Sequence, residues 1–257
     1  MNDKLQSFER LLNIMDELRE KCPWDREQTF ESLRSNTIEE TYELIDAINT
    51  MEVTNIKKEL GDILLHVVFY AKMASEKEWF EIQDVINALC DKLVYRHPHV
   101  FGEEEVANAA QVIQNWEQLK IKEKDGNKSV LSGVPSALPA LIKANRIQEK
   151  ARAVGFDWEE RTQVWDKVQE ELNELRHEIE QMNREKMEKE FGDLLFSVVN
   201  AARLYDIDPE SALEKTNRKF IKRFTYLEEN TIKKGRSLKE MTLDEMNEIW
   251  EEAKKFD

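Results

Sequence analysis

Glycine and proline are scarce in this chain of 257 residues, at seven and five, and the turn-rich punctuation of an all-β fold is missing with them. Cysteine is scarcer still. Cys22 and Cys90 lie far apart with no C-x-x-C spacing, which excludes a disulfide framework and a zinc knuckle and leaves reduced cytosolic thiols as the reading. No apolar run approaches the roughly 20 residues that cross a bilayer. Residues 1–20 are amphipathic and mixed in charge, without the apolar core and small-residue cleavage pattern of a signal peptide. Positive charge is also in deficit: 38 Lys and Arg against 53 Asp and Glu give a net charge of -15. That field repels phosphate, so nonspecific binding to nucleic acid or to an anionic membrane is not expected, and a phosphorylated ligand needs cations to bridge it. A soluble, cytoplasmic protein is the expectation.

What is abundant is Glu, Lys, Leu, Ala and Met, the composition of an all-α chain. Leu5, Phe8, Leu11, Leu12, Met15 and Leu18 share one helical face, and the pattern stops at Lys21-Cys22-Pro23-Trp24-Asp25. Further helices are expected at about 29–48, 55–75, 84–96 and 106–124. A break follows at 125–139, where Gly126, Gly133, Pro135 and Pro139 gather, and it reads as a linker between a domain at 1–124 and one at 140–257. Beyond it, helices are expected at about 140–153, 162–182, 184–204, 209–230 and 243–255, five in each half. Asp208-Pro209-Glu210 is a strong helix start: Asp caps, Pro suits the first turn and Glu complements the dipole.

One acidic pattern occurs twice. Glu40, Glu43, Glu59 and Asp62 reappear as Glu171, Glu174, Glu190 and Asp193, every member displaced by 131 positions. Gly61-Asp62-Ile63-Leu64-Leu65 matches Gly192-Asp193-Leu194-Leu195-Phe196, and Trp116 to Lys120 matches Trp250 to Lys254. Between them lie Lys92 with Arg96 and Lys219 with Arg223, so acids, basics and Trp recur in order. Each acidic pair is one helical turn apart. Folding each half into a hairpin about position 51 or 182 brings Glu40 level with Asp62, Glu43 with Glu59, Glu171 with Asp193 and Glu174 with Glu190. Val164, Val168, Leu172, Leu175, Ile179 and Met182 form an apolar seam on one helix, and Phe191, Leu194 and Val198 on the next, with the acids at its edge. Gly61 and Gly192 are expected to allow close helix approach there.

Carboxylates about 4 Å apart repel by roughly 4 kcal/mol per pair at an effective dielectric of about 20, so a cation is expected to hold them. Oxygen ligands without His or Cys favour Mg²⁺, Mn²⁺ or Ca²⁺ over zinc, and a Mg²⁺ that keeps its waters awaits substrate phosphate. With Lys219, Arg223 and Trp250 downstream, the implied ligand carries phosphates and an aromatic base. Two other readings compete. A di-iron carboxylate bundle uses Glu-x-x-His, and Glu174 with His177 has that spacing, but the first half offers Glu43 with Asp46. A non-enzymatic helical interaction protein explains the seams but not the ordered recurrence of acids, basics and Trp.

With EETYELIDAI…KKELGDILLHVV and QEELNELRHEI…EKEFGDLLFSVV in view, together with CPWDREQT, YRHPHVFGE and the SALPAL to GFDW segment, the chain resembles the two-domain MazG nucleoside triphosphate pyrophosphohydrolases over nearly its whole length. The resemblance implies two tandem helical domains whose hairpins complete four-helix bundles in a homodimer. It implies Mg²⁺-dependent hydrolysis of nucleoside triphosphates to monophosphate and pyrophosphate, with broad choice of base and sugar, mainly in the C-terminal domain. It assigns metal binding to Glu171, Glu174, Glu190 and Asp193, phosphate or nucleotide contacts to Lys167, Lys186, Lys189, Lys219 and Arg223, and a nucleotide contact to Trp250. Glu40, Glu43, Glu59 and Asp62 form a possible second metal site.

Overall fold

The computed structural model of the chain describes residues 3–123 and 128–256. Among them there is no strand, and no helix is long and apolar enough to cross a membrane. Contacts divide the chain into two compact units, Met1–Glu105 and Val106–Asp257. Residues 124–127, within the expected linker and at the end of the fifth expected helix, lie outside the described residues.

In the first unit, α1 (Asp3–Lys21) and the short α2 (Pro23–Glu27) precede the hairpin of α3 (Phe30–Asn49) and α4 (Val53–Ser75); α5 (Ile82–Arg96) and α6 (Pro98–Phe101) follow. Thr29 and Ser32 exchange side-chain hydrogen bonds with each other's backbone N–H, a capping box that starts α3. Met15 of α1, Leu33 of α3 and Val68, Phe69 and Met73 of α4 are buried together as the core. Arg19 ties the Cys22–Gln28 segment to this core: its guanidinium donates to the carbonyls of Asp25, Arg26 and Gln28 and pairs with Glu76 of α4. α2 and α6 were not expected from periodicity.

The second unit holds α7 (Ala109–Lys122), α8 (Ala140–Ala153), the hairpin of α9 (Gln163–Glu180) and α10 (Arg184–Leu204), then α11 (Pro209–Asn230) and α12 (Leu243–Ala253). Asn183 caps α10 and Asp208 caps α11, where Pro209 occupies the first turn as expected. α8 packs on α10 and α11, and α11 on α12. Val164, Ala201 and Leu204 are buried against Val168.

The expected seam is only half buried. Val164 and Leu175 are covered, but Ile179, Met182, Phe191 and Val198 stand exposed, and in α10 the buried positions are instead Glu190, Ser197, Val199, Ala201, Arg203 and Leu204. α10 buries a mixed face of three polar and three apolar residues and leaves Phe191, Leu195 and Val198 exposed. The glycines differ from expectation too: a Cβ at Gly61 or Gly192 would meet nothing within 4 Å, so no close helix approach among the described residues requires either.

Candidate metal centre and adjoining cavity

Glu171 and Glu174 stand one turn apart on α9, facing Glu190 on α10. One carboxylate oxygen from each lies within 4.8 Å of the others, and Glu40, Glu43 and Glu59 on α3 and α4 repeat the arrangement. Glu59 is buried in the first trio, at 5 % exposure, and both Glu171 and Glu190 in the second, at 6 % and 8 %. The hairpin therefore brings three of the four expected acids together on each side. The fourth stands beside the trio, held by a lysine one turn earlier on its own helix. Lys189 bridges Glu190 at 3.1 Å and Asp193 at 3.3 Å. Lys58 bridges Glu59 at 3.0 Å, Asp62 at 3.7 Å and Glu43 at 3.8 Å. Lys58 was missing from the sequence reading, although it matches Lys189 at the 131-residue spacing.

The electrostatics are those of crowded anions. Desolvation, then the charges of Glu171, Glu190 and Glu170, push the Glu174 carboxyl above its ordinary range, and Lys167 only partly offsets them. Glu40 is raised in the same way by desolvation and by Asp62, Glu43 and Glu59. Hydrogen bonds to Glu190 and Asp193 raise the Lys189 ammonium in turn.

These residues fit a divalent cation. Glu59 Oε2 and Glu190 Oε2 are buried and accept no hydrogen bond, and a sealed carboxylate oxygen is satisfied by a cation or by a proton. The donor set is entirely oxygen, which suits a hard ion such as Mg²⁺ or Mn²⁺.

The two sites differ in what surrounds them. Lys167 on α9 pairs with Glu171 at 2.7 Å and Glu170 at 2.9 Å, and those two hydrogen bonds hold its ammonium far above the usual lysine range. The residue 131 positions earlier is Asn36. Beside the second site opens a cavity of about 610 Å³ whose lining includes Lys167, Glu171 and Asp193. Its far-reaching contributors come from α8, the 155–158 loop and α10: Gln148, Phe156, Trp158, Asn200 and the ion pair of Asp157 with Arg203. Neither Trp158 nor these polar members is expected at a site from the sequence pattern.

The remaining candidates lie elsewhere. Lys186 pairs with Glu178 at 3.4 Å. Lys219, Arg223 and Trp250 belong to α11 and α12, where the Arg223 guanidinium sits 5.7 Å over the Trp250 ring and Phe220 packs 5.0 Å from it. None of these three lines the cavity. His177 is exposed on α9 and belongs to no carboxylate trio, so the described residues contain no Glu-x-x-His metal group. His66 is buried in α4 and bonds Thr37 at 2.6 Å, and Thr37 bonds Tyr70 at 2.8 Å.

The family model described as the MazG nucleotide pyrophosphohydrolase domain matches the chain twice, at residues 28–101 and 160–227. The chain is also similar to the nucleoside triphosphate pyrophosphohydrolase/pyrophosphatase MazG of Thermotoga maritima, with 48% identity over 96% of this chain and 95% of that protein. The nucleoside triphosphate pyrophosphohydrolase of Escherichia coli is 42% identical over 98% of each chain. The uncharacterized protein YabN of Bacillus subtilis is 44% identical over 96% of this chain and 51% of its own length.

Proposed function

This chain belongs to the MazG family of nucleotide pyrophosphohydrolases, and from that premise we propose how it works. It is a nucleoside triphosphate pyrophosphohydrolase, and we assign its turnover to the Glu171, Glu174, Glu190 and Asp193 site with Mg²⁺, Mn²⁺ serving in its place. The observation that carries this is the trio of opposed carboxylates with one sealed, unpartnered oxygen. A divalent ion held there would supply positive charge to phosphate oxygens and make a nearby water more acidic. Glu171, Glu174 and Glu190, with Asp193 beside them, would hold the ion. Glu174, exposed and with a raised affinity for protons, takes the proton of the attacking water. The water oxygen bonds to the α-phosphorus, the α–β bridging bond breaks, and pyrophosphate leaves with that bond's electrons. Lys167 and Lys189 stand close enough to the acids to balance the triphosphate's charge. Lys186, Lys219, Arg223 and Trp250 serve as nucleotide contacts as the family resemblance implies, with the functional division at 1–124, 125–139 and 140–257.

A homodimer completes this reading. Phe191, Leu195 and Val198 on α10 and Ile38, Leu60 and Leu64 on α3 and α4 are large apolar side chains left 42–58 % exposed. Stripes of that kind are what a second hairpin covers in a four-helix bundle. Incubating the protein with a panel of nucleoside triphosphates and Mg²⁺ is the test: equimolar monophosphate and pyrophosphate are expected, abolished by chelator. Orthophosphate as the product, or turnover indifferent to chelator, would overturn the chemistry.

A further inference from the structure

The cavity joined to the acidic site has the size of a small-molecule pocket, about 610 Å³ within the usual range of roughly 300–1,000 Å³. Its walls are apolar and aromatic, with Ile147, Val164, Phe156, Trp158 and Phe196 among them. Its polar members beyond the acid site are few, and most are already committed. Ser197 donates to the Leu194 carbonyl at 2.8 Å. Arg203 and Asp157 form a bidentate pair. Two amides are left with something to offer.

Asn200 is held in one orientation. Its Oδ1 accepts from Arg203 Nε at 3.0 Å and from Arg203 Nη2 at 2.8 Å, so its Nδ2 faces away from Arg203 and donates to no partner among the described residues. Arg203 itself cannot swing, being 7 % exposed and clamped by Asp157. Gln148 is fixed in the complementary sense. Its Nε2 donates to the Phe196 carbonyl at 2.8 Å, and its Oε1 is buried with no donor. A buried acceptor left empty in the lining of a cavity is a position for a group that arrives with the ligand.

We propose that this cavity receives the nucleobase of the triphosphate, with Asn200 donating to it and Gln148 accepting from it. The aromatic walls suit a flat ring. Each common base carries an acceptor beside an N–H on its pairing edge, so one donor with one acceptor selects nucleosides as a class over other triphosphates and tolerates several bases. The proposal rests on the pyrophosphohydrolase reading and adds the residues that make the substrate a nucleotide. The first unit supplies the contrast. Phe69, 131 positions before Asn200, is 2 % exposed in a core with Met15, Leu33 and Val68, so the acids are repeated there without the amide.

Asn200→Asp is the informative variant, because a carboxylate keeps both acceptor positions for Arg203 while removing the donor. kcat/KM is measured for ATP, for CTP and for ribose 5-triphosphate, which carries the same phosphates and no base. The ratio of nucleotide to base-free turnover is expected to fall about tenfold, with ribose 5-triphosphate reporting any effect of the added charge on phosphate binding. Gln148→Met, of similar length and without an acceptor, is expected to lower the same ratio and covers the case in which the new carboxylate disturbs the fold. A ratio unchanged in both variants, whether the rates fall together or not at all, overturns the proposal. Wild-type protein that hydrolyses ATP and ribose 5-triphosphate equally well overturns it too. Wild-type protein that hydrolyses neither removes the pyrophosphohydrolase reading and this one with it.

Discussion

Asp157 shows how much one side chain in this chain is asked to hold. Its two oxygens take Arg203 Nη2 at 2.5 Å and Nη1 at 3.1 Å, and Arg203 in turn fixes Asn200. Burial by itself raises the Asp157 carboxyl, but the Arg203 hydrogen bonds, the Trp158 backbone N–H and the charges of Arg203 and Arg152 outweigh it and hold the group below the usual carboxylate range. A folded pKa below the unfolded one contributes stability that is complete above the unfolded value of about 3.9 and is lost as the pH falls through the folded value. Asp157→Asn strands a buried guanidinium and is expected to cost about 3 kcal/mol near neutrality. Urea unfolding of both proteins at pH 7 and again near pH 3 checks this, since the gap between them should narrow in acid. An equal gap at both pH values would mean that Asp157 acts by packing alone. None of this was visible in the sequence. Gln148, Asp157, Asn200 and Arg203 are isolated polar residues with no mutual spacing rule, and only the packing of α8, the 155–158 loop and α10 joins them. The acids were visible because each pair obeys a helical period and the whole set is repeated.

Hairpin geometry explains why folding the sequence about positions 51 and 182 located the acids so well. Both positions are methionines in the left-handed region, Met51 at φ 55 and Met182 at φ 52. Each closes its helix with the same pair of bonds, Met51 N–H to Ile48 and Glu52 N–H to Ala47 in α3, Met182 N–H to Ile179 and Asn183 N–H to Glu178 in α9. This is the helix stop that glycine normally makes, and an L side chain there costs about 1–2 kcal/mol. Met182 is 79 % exposed and packs little in this chain. Met182→Gly is therefore expected to raise stability by roughly 0.5–1 kcal/mol after glycine's own entropy cost, read as a higher urea midpoint at unchanged slope, whereas Met182→Val should lower it. A glycine variant less stable than wild type would show that Met182 is covered, as a partner hairpin would cover it. The long helices were legible because an apolar period of 3.6 repeats several times within each. α2 and α6 were not, since five and four residues hold barely one period and α2 is secured by Arg19 from outside its own sequence.

At the scale of the whole molecule, the two units share an acidic trio and differ in what adjoins it. Both units keep a carboxylate trio with a sealed oxygen and a bridging lysine, so both have the means to bind a divalent ion. Beside the second, among the described residues, stand Lys167 and a cavity whose lining includes Glu171 and Asp193. In the first, the positions matching Lys167 and Asn200 are Asn36 and the buried Phe69. In a chain of net charge -15, a trianionic or tetra-anionic substrate gains little from the general field and depends on local cations, which are more numerous at the second site. Glu174→Gln is accordingly expected to reduce nucleoside triphosphate turnover by at least about a hundredfold, and Glu43→Gln to leave it within about twofold. Calorimetric titration with Mg²⁺ separates the two roles, because each substitution should weaken one class of binding site and spare the other. Turnover that falls as far in Glu43→Gln as in Glu174→Gln would mean that the first unit hydrolyses nucleotides too, and the division of labour between the halves would have to be redrawn.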